Sequence, residues 1–267
     1  LGTFLSSRPA ERVEVQAAVA GPLLTSQSAL IMNGRSGEIL YQKGIDQVRP
    51  IASISKLMAA MVVLDARQNM NETLEITEAE IDRLKGTGSR LSVGTTLTRR
   101  EMLHLGLMSS ENRAIHALAR NYPGGLPAFM SAMNRKAQSL GMQQTRFYDP
   151  TGLDFRNVPT ARDLSLMVRA AHEYPLIRQF STSNSGSAQT SNGRVQQYRN
   201  SNALVREGTW NISLQKTGYI RESGRSMVLY ANVQRQPLII VLLNSPSPTT
   251  RVNDARAIQN WVNGREI

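Results

Sequence analysis

Ser53 and Lys56 are a pair whose residue types and spacing are suited to chemistry. They stand three positions apart in "RPIASISKLMAAMVVLDARQ" (49–68), where a turn-like sequence gives way to an apolar, helix-like run. At that spacing on a helix, a hydroxyl and an amine share one face. A lysine whose pKa is lowered by burial can activate a serine, and a helix start offers N–H groups for an oxyanion. The pair therefore indicates acyl transfer.

The spacing alone is a weak signal. With 25 serines and 5 lysines in the chain, roughly half a Ser-x-x-Lys match is expected by chance. Ser55 has no lysine three positions on, and Ser213 precedes Lys216 in a strand-like run, where residues three apart point to opposite faces. For Ser53 alone, a helix N-cap is the competing interpretation.

A second motif is Ser110-Glu111-Asn112 in "LMSSENRAIHAL" (107–118), between two predicted helices. In such a connection the first and third residues can project to one side while the middle one turns away. A hydroxyl and a carboxamide presented together could pass a proton and hold a substrate amide. The alternative is an ordinary helix start, which these residue types favour.

A third motif is Lys216-Thr217-Gly218 in "SLQKTGYI". On a strand, the lysine and the glycine face one way and the threonine the other. The glycine would let a ligand backbone approach as an added strand, and the lysine and threonine would suit its anionic end. The alternative is a strand that carries a lysine.

Hydrophobic patterning and capping signals predict the elements that position these motifs. Strands near both ends with helices between them predict one sheet built from both termini, with a helical subdomain inserted. Residues 72–160 are predicted as mainly helices and loops. The predicted strands are 29–33, 38–42, 211–220, 226–234 and 237–245. The predicted helices are about 53–64, 98–107, 113–120, 127–140, 160–173 and 250–262. Residues 181–202 are predicted as long loops, with a projecting hairpin as an alternative.

Composition excludes several classes of function. The chain has no cysteine, no apolar stretch long enough to span a membrane, and no intact signal peptide in its opening residues. The three histidines, His104, His116 and His172, are dispersed and show no metal signature, so we expect neither a metal nor a cofactor. The net charge of +11 could suit nucleic acid, an anionic membrane or a carboxylate-rich polymer. Because the arginines are scattered and aromatic residues make up only 5% of the chain, we expect no nucleic-acid partner.

Taken together, the three motifs occur in the order found in penicillin-recognising serine enzymes. The chain resembles the low-molecular-mass penicillin-binding proteins of the D-alanyl-D-alanine endopeptidase and carboxypeptidase type. The resemblance covers about residues 24–262 and includes "ALIMNGRSGEILYQKGIDQVRPIASISKLMAAMVVLDA", "GMQQTRFYDPTGLDFRNVPTARDLSLM", "NSNALV" and "KTGYIRESGRSMV". It implies a β-lactamase/transpeptidase-like α/β (α+β) fold. A five-stranded, mainly antiparallel sheet would be flanked by helices and carry an inserted all-helical lobe.

The resemblance also implies roles for individual residues. Ser53 would be acylated with Lys56 as general base, and Ser110 would relay the proton to the leaving amine. Asn112 would hold the substrate amide, and Lys216 would give electrostatic support. Thr217 would bind the terminal carboxylate of the substrate, with Arg251 as a second candidate for that carboxylate. Gly218 would also contact the substrate. The backbone N–H groups of Ser53 and Tyr219 would form the oxyanion hole.

The same resemblance implies an exported, periplasmic enzyme acting on peptidoglycan stem peptides and covalently inhibited by β-lactams, with peripheral membrane association left open. Because few residues follow Gly218, the D,D-endopeptidase subtype, which cuts D-Ala–diaminopimelate cross-links, is favoured over a D,D-carboxypeptidase. We expect a flexible leader at 1–23, one domain at 24–262 with its helical lobe at about 65–160, and a tail at 263–267.

Two other functions compete with a peptidase. A class A β-lactamase would need a glutamate that activates the deacylating water, and Glu173 lies instead on a predicted helix leading into Tyr174-Pro175. A non-catalytic cell-wall binding module or antibiotic sensor would not need an activated serine. The full motif set therefore favours the peptidase.

Overall fold

The computed structural model describes residues 21–264, and its centre is a five-stranded antiparallel sheet in the order β2-β1-β9-β8-β7. The predicted leader and tail lie mostly outside the described residues. The sheet unites both ends of the described chain, as the sequence predicts. The strands are β1 (Ser28–Asn33), β2 (Ile39–Lys43), β3 (Thr73–Glu75), β4 (Thr96–Thr98), β5 (Ser185–Gln189), β6 (Val195–Arg199), β7 (Asn211–Ile220), β8 (Gly224–Val233) and β9 (Gln236–Ser245).

Helices cover both faces of the sheet. The helices are α1 (Lys56–Asp65), α2 (Arg99–Met108), α3 (Asn112–Arg120), α4 (Gly125–Ser139), α5 (Ala161–Ala171), α6 (Pro175–Ser181), α7 (Ala203–Glu207) and α8 (Pro248–Asn263). α8 packs on β8 and β9, and α5 packs on β1 and β9. Alternate residues along β9 serve the two sides, because Ile240 belongs to the core under α8 and Val241 to the core that contains α1. Among the described residues, no helix is long and apolar enough to cross a membrane.

α1 is the buried helix of the fold. Its residues 56–63 are all buried, in agreement with the apolar run predicted to be enclosed on every side. A 3-10 turn, Ala52–Ser55, precedes it, so Ser53 lies in this turn and not on the α-helix itself. Ser53 makes no capping hydrogen bond, which removes the N-cap interpretation.

Capping explains the helix starts. Thr98 Oγ1 accepts from Glu101 N at 3.1 Å, and Glu101 Oε1 accepts from Thr98 N at 2.9 Å, which confirms the capping box predicted for α2. Thr160 likewise accepts from Asp163 N at 3.1 Å at the start of α5.

The inserted region is not all-helical. β3 pairs with β4, and β5 pairs with β6 in a hairpin. The sequence interpretation missed β3 and β4 because three-residue strands are too short to show an alternating pattern. It also missed α6 and α7, which have only seven and five residues. The β5–β6 hairpin is the alternative foreseen for residues 181–202.

Candidate active site

Two of the other predicted side chains, Ser53 and Ser110, meet at Lys56. Its Nζ lies 2.5 Å from Ser53 Oγ and 3.1 Å from Ser110 Oγ. Lys216 Nζ lies 2.8 Å from the same Ser110 hydroxyl. Ser110 is therefore shared by two lysines from different elements, α1 and β7, and a continuous chain of polar contacts runs from Ser53 to Lys216.

Burial makes Lys56 a base. The residue is fully buried on α1, and this desolvation lowers the pKa of Lys56 to about 7, against the opposing effects of Asp149 and Glu111. A large fraction of Lys56 is therefore neutral near neutral pH. A neutral amine 2.5 Å from Ser53 Oγ can accept its proton.

Lys216 has an even less favourable environment for charge. It is fully buried, and burial, the nearby Lys56 and Arg251 all lower its pKa well below the usual lysine value. Its Nζ donates to Ser110 Oγ and, at 3.0 Å, to Thr217 O. The two lysines repel each other, so their protons are linked through Ser110.

The second Ser-x-x-Lys match is separated, as its strand position predicts. Ser213 Oγ donates to Tyr230 O at 3.2 Å and contacts His172 Nε2 at 2.9 Å, whereas Lys216 turns to Ser110. Of the two Ser-x-x-Lys matches, only Ser53 and Lys56 bring their own hydroxyl and amine into contact.

Gly218 lets the strand approach the nucleophile. A Cβ at this position would lie 2.8 Å from Ile51 O and 3.1 Å from Ser53 N, so a larger residue would push β7 away from the 3-10 turn. β7 is one of the two edge strands of the central sheet, and Ile220 N donates to Ser223 Oγ on the β8 side. Because successive N–H groups alternate in direction, Tyr219 N faces the open edge beside Ser53.

The connection that carries Ser110 is strained into position. Ser110 has φ +63°, an uncommon conformation for a serine. Glu111 turns away, as predicted, to cap Arg113 N at 3.1 Å and to accept from Ser89 Oγ at 2.7 Å. Asn112 opens α3 and borders the same cavity of about 430 Å³ as Ser110. Its Oδ1 is buried with no hydrogen-bond partner among the described residues.

The residues predicted to bind the substrate, Thr217, Tyr219 and Arg251, differ in their contacts. Thr217 is buried and its Oγ1 lies 2.7 Å from Ser201 Oγ. Tyr219 is half exposed, with the Arg225 guanidinium over its ring. Arg251 is buried on α8 and its Nη1 donates to Ser226 O at 3.0 Å and to Gly218 O at 3.4 Å. Arg251 thus reaches the backbone of β7 at Gly218.

Sequence reasoning missed the segment that supports Ser53 from the other side. Gly152, with φ +94°, sits so close to Ala52 O that a Cβ there would overlap it. Asn157 Nδ2 bonds to Ser55 Oγ at 3.1 Å and to Asp149 Oδ1 at 3.0 Å. The signal was available in "YDPTGLDFRN", where asparagine, aspartate and glycine are typical of a tight loop.

The histidines stand apart from the nucleophile. His116 Nδ1 pairs with Glu80 at 2.8 Å, and His172 stacks on Tyr230. Among residues 21–264, no group of three or more histidine, aspartate or glutamate side chains could hold a metal ion. Of the glutamates between Asn112 and Lys216, Glu173 borders an open cavity with His172, and Glu207 pairs at the surface with Arg256.

Comparison with known proteins accounts for this arrangement. Residues 15–247 match the family described as D-alanyl-D-alanine carboxypeptidase. The chain belongs to this family. The matched range covers the whole cluster from Ser53 to Lys216. The chain is therefore a low-molecular-mass penicillin-binding protein and a serine hydrolase.

Individual relatives agree with the family match. The chain is 43% identical over 245 residues to a D-alanyl-D-alanine endopeptidase of Pseudomonas aeruginosa, covering 91% of this chain and 79% of the relative. It is 44% identical over 242 residues to the D-alanyl-D-alanine endopeptidase of Escherichia coli, covering 90% and 78%. The crystal structure of the Streptomyces K15 DD-transpeptidase superposes with a TM-score of 0.84 at 27% identity, covering 91% and 99%. The predicted family and fold class are confirmed.

Proposed function

We propose that the protein is a serine D,D-peptidase that cleaves D-alanyl-D-amino acid bonds in peptidoglycan. The observation that carries the proposal is the contact of Ser53 Oγ with Lys56, a buried lysine whose pKa lies near 7. A base of this kind beside a serine serves acyl transfer and has no use in a module that only binds the cell wall. The family match supplies the substrate class.

Acylation begins at Ser53. Lys56 takes the hydroxyl proton as Oγ forms a bond to the carbonyl carbon of the D-alanine. The N–H groups of Ser53 and Tyr219 hold the resulting oxyanion, a type of contact that costs about 3 kcal/mol of transition-state stabilisation when one donor is lost. The proton then passes through Ser110 to the leaving nitrogen as the C–N bond breaks. Water hydrolyses the ester and returns a proton to Ser53.

The other predicted residues position the substrate in this scheme. Asn112 holds the substrate amide on the lobe side of the groove, and Gly218 lets the peptide lie along β7. Lys216 supports the charge on Ser110 and the substrate. Thr217 binds the carboxylate of the leaving residue, with Arg251 acting behind it through the backbone of Gly218.

We infer that the preferred substrate is a cross-link between D-alanine and diaminopimelate, so that the enzyme is a D,D-endopeptidase. Two relatives that are 43% and 44% identical carry the endopeptidase name, and each is matched over more than three quarters of its length. The family description favours the alternative, a D,D-carboxypeptidase. β-Lactams would acylate Ser53 because they present a reactive amide to the Ser53 hydroxyl that Lys56 activates.

Residues 24–262 form one penicillin-binding domain in this proposal, with a helical lobe at about 65–160. The enzyme is exported and acts in the periplasm, where the net charge of +11 suits the carboxylates of stem peptides. The same positive charge would also suit peripheral association with an anionic membrane surface.

The test is the variant Ser53→Ala, compared with Ser139→Ala as a change at an exposed serine of α4. We expect Ser53→Ala to lose both labelling by a fluorescent penicillin and cleavage of cross-linked muropeptides while its circular dichroism stays native. Mass spectrometry of products from cross-linked and uncross-linked muropeptides separates endopeptidase from carboxypeptidase. Cleavage by Ser53→Ala would refute the mechanism, and rapid repeated turnover of nitrocefin by the wild type would favour a β-lactamase.

A further inference from the structure

An ion pair joins two distant segments of the chain, each continuous with an element of the candidate active site. Lys85 Nζ lies 2.5 Å from Glu222 Oε1 and also contacts Glu222 Oε2. Lys85 belongs to the loop that precedes Ser89, and Glu222 lies in the turn between β7 and β8. The proposed reaction assigns no role to this contact.

The loop that carries Lys85 is held in a defined shape. Asp82 accepts hydrogen bonds from Lys85 N at 3.0 Å and from Thr87 N at 2.9 Å. At the end of the loop, Ser89 Oγ donates to Glu111 at 2.7 Å, beside Ser110. The position of Lys85 is therefore fixed relative to the wall that carries Ser110.

The opposite end of the ion pair is fixed relative to Gly218. Glu222 follows Gly218 by four residues, and a Cβ at Gly218 would touch Ser53 N. In the proposed reaction, the leaving residue lies at Thr217 and the scissile carbonyl at Tyr219. The donor stem must then run along the edge of β7 past Tyr219, toward the turn that carries Glu222.

The pair is exposed enough to exchange partners. The side chains of Lys85 and Glu222 are 25% and 32% exposed. Ion pairs with this degree of exposure contribute only about 0–1 kcal/mol, so they open at little cost. A ligand that carries both an ammonium and a carboxylate on one carbon could replace this contact with two intermolecular ones.

We propose that Lys85 and Glu222 recognise the zwitterionic end of the diaminopimelate side chain on the donor stem, with Lys85 binding its carboxylate and Glu222 its ammonium. A lysine at the same stem position offers only an ammonium. This ammonium can bind Glu222, but the substrate then has no carboxylate for Lys85. The pair thus selects the third residue of the donor stem. This inference rests on the proposed function, because it takes the direction of the substrate from the roles of Thr217 and Tyr219.

The test uses two synthetic stem-peptide dimers with the same D-Ala–diaminopimelate cross-link. Their donor stems carry either meso-diaminopimelate or L-lysine at the third position. We expect the wild type to show a higher kcat/KM for the first dimer. Lys85→Met should lower this preference about tenfold, the effect of losing one contact to a charged group. Glu222→Gln should lower kcat/KM for both dimers, because both carry the ammonium.

Matched variants of ion pairs elsewhere on the surface provide controls. Lys136→Met removes a lysine paired with Asp65, and Glu207→Gln removes a glutamate paired with Arg256. Labelling by fluorescent penicillin verifies a formed active site in every variant. Equal cleavage of the two dimers by the wild type, or an unchanged preference in Lys85→Met, would overturn this inference alone. Penicillin labelling without cleavage of either dimer would instead refute the proposed function and this inference with it.

Discussion

Asn157 Nδ2 donates a hydrogen bond to Ser55 Oγ at 3.1 Å, two residues from the proposed nucleophile. Ser55 has no lysine at the right spacing, yet it is fully buried and binds the segment that follows α4. The same asparagine accepts from Tyr148 N at 2.6 Å. The second serine of the SISK sequence therefore fixes a supporting loop, and that loop fixes the turn that carries Ser53.

Replacing Gly152 by alanine should disturb this support. Its Cβ would overlap the Ala52 carbonyl, and the positive φ adds strain, so we expect a loss of about 2–4 kcal/mol in the free energy of unfolding. Penicillin acylation should also slow, because Ala52 is bonded to Ser53. Gly193→Ala is the matched control, since Gly193 also has a positive φ but open space around it. Equal effects of the two substitutions in urea denaturation would contradict the contact.

The acylation rate should rise with pH through about 7. Lys56 accepts the proton of Ser53 only when neutral, and burial lowers the pKa of Lys56 to about 7. One pH unit below that value, the rate should be about tenfold below its plateau. Stopped-flow labelling with a fluorescent penicillin measures this, with circular dichroism at each pH to verify folding. A rate that stays constant from acid to alkaline pH would rule out Lys56 as the base.

Ser110→Ala should slow acylation and peptide cleavage by about 100-fold, the size of a lost proton-transfer group. The substitution removes the hydroxyl that contacts both Lys56 and Lys216 and leaves two buried lysines without their common partner. The control is Ser109→Ala, because Ser109 Oγ donates only to Leu105 O of its own helix in the contacts described. Similar rates for the two variants would show that Ser110 carries no proton.

Glu80→Gln should destabilise the protein at neutral pH. Burial works to raise the pKa of Glu80, but hydrogen bonds from His116, Arg120 and Thr77 outweigh it and lower the value to about 2. Because this folded-state pKa lies below the unfolded one, the stabilisation is present above pH 4.5 and is lost as pH falls toward 2. We expect Glu80→Gln to lose about 2 kcal/mol at pH 7 and to show a weaker pH dependence between those values.

Thermal unfolding followed by circular dichroism between pH 2 and pH 7 measures this effect. Glu78→Gln is the control, because Glu78 lies on the same 3-10 turn but is exposed. A pH dependence in Glu80→Gln as steep as in the wild type would assign the acid sensitivity to other carboxylates.

Local patterns made much of this site predictable. The spacing of Ser53 and Lys56 brings their side chains together at the start of the buried helix, and the strand alternation separates Ser213 from Lys216. Hydrophobic runs and caps likewise predict the central strands and most helices. These features depend on neighbours within a few residues, and such neighbours are visible in a sequence.

Contacts between distant segments could not be predicted in this way. Ser201 meets Thr217, and Lys85 meets Glu222 across 137 positions of sequence. Gly152 and Asn157 act on the nucleophile turn only because the chain folds back onto it. Residue types at these positions are common in loops, so nothing in their spacing marks their partners.

The open edge of β7 has a consequence for what the enzyme can degrade. Within the described residues β7 pairs only with β8, and an unpaired strand edge invites other strands to add to it. Here Gly218 lies against the Ser53 turn and Lys216 against the Ser110 connection, so a strand that adds to this edge must fit beside these two segments. A single extended peptide remains narrow enough. The architecture thus protects folded neighbours from hydrolysis and protects the enzyme from aggregation by the same steric restriction.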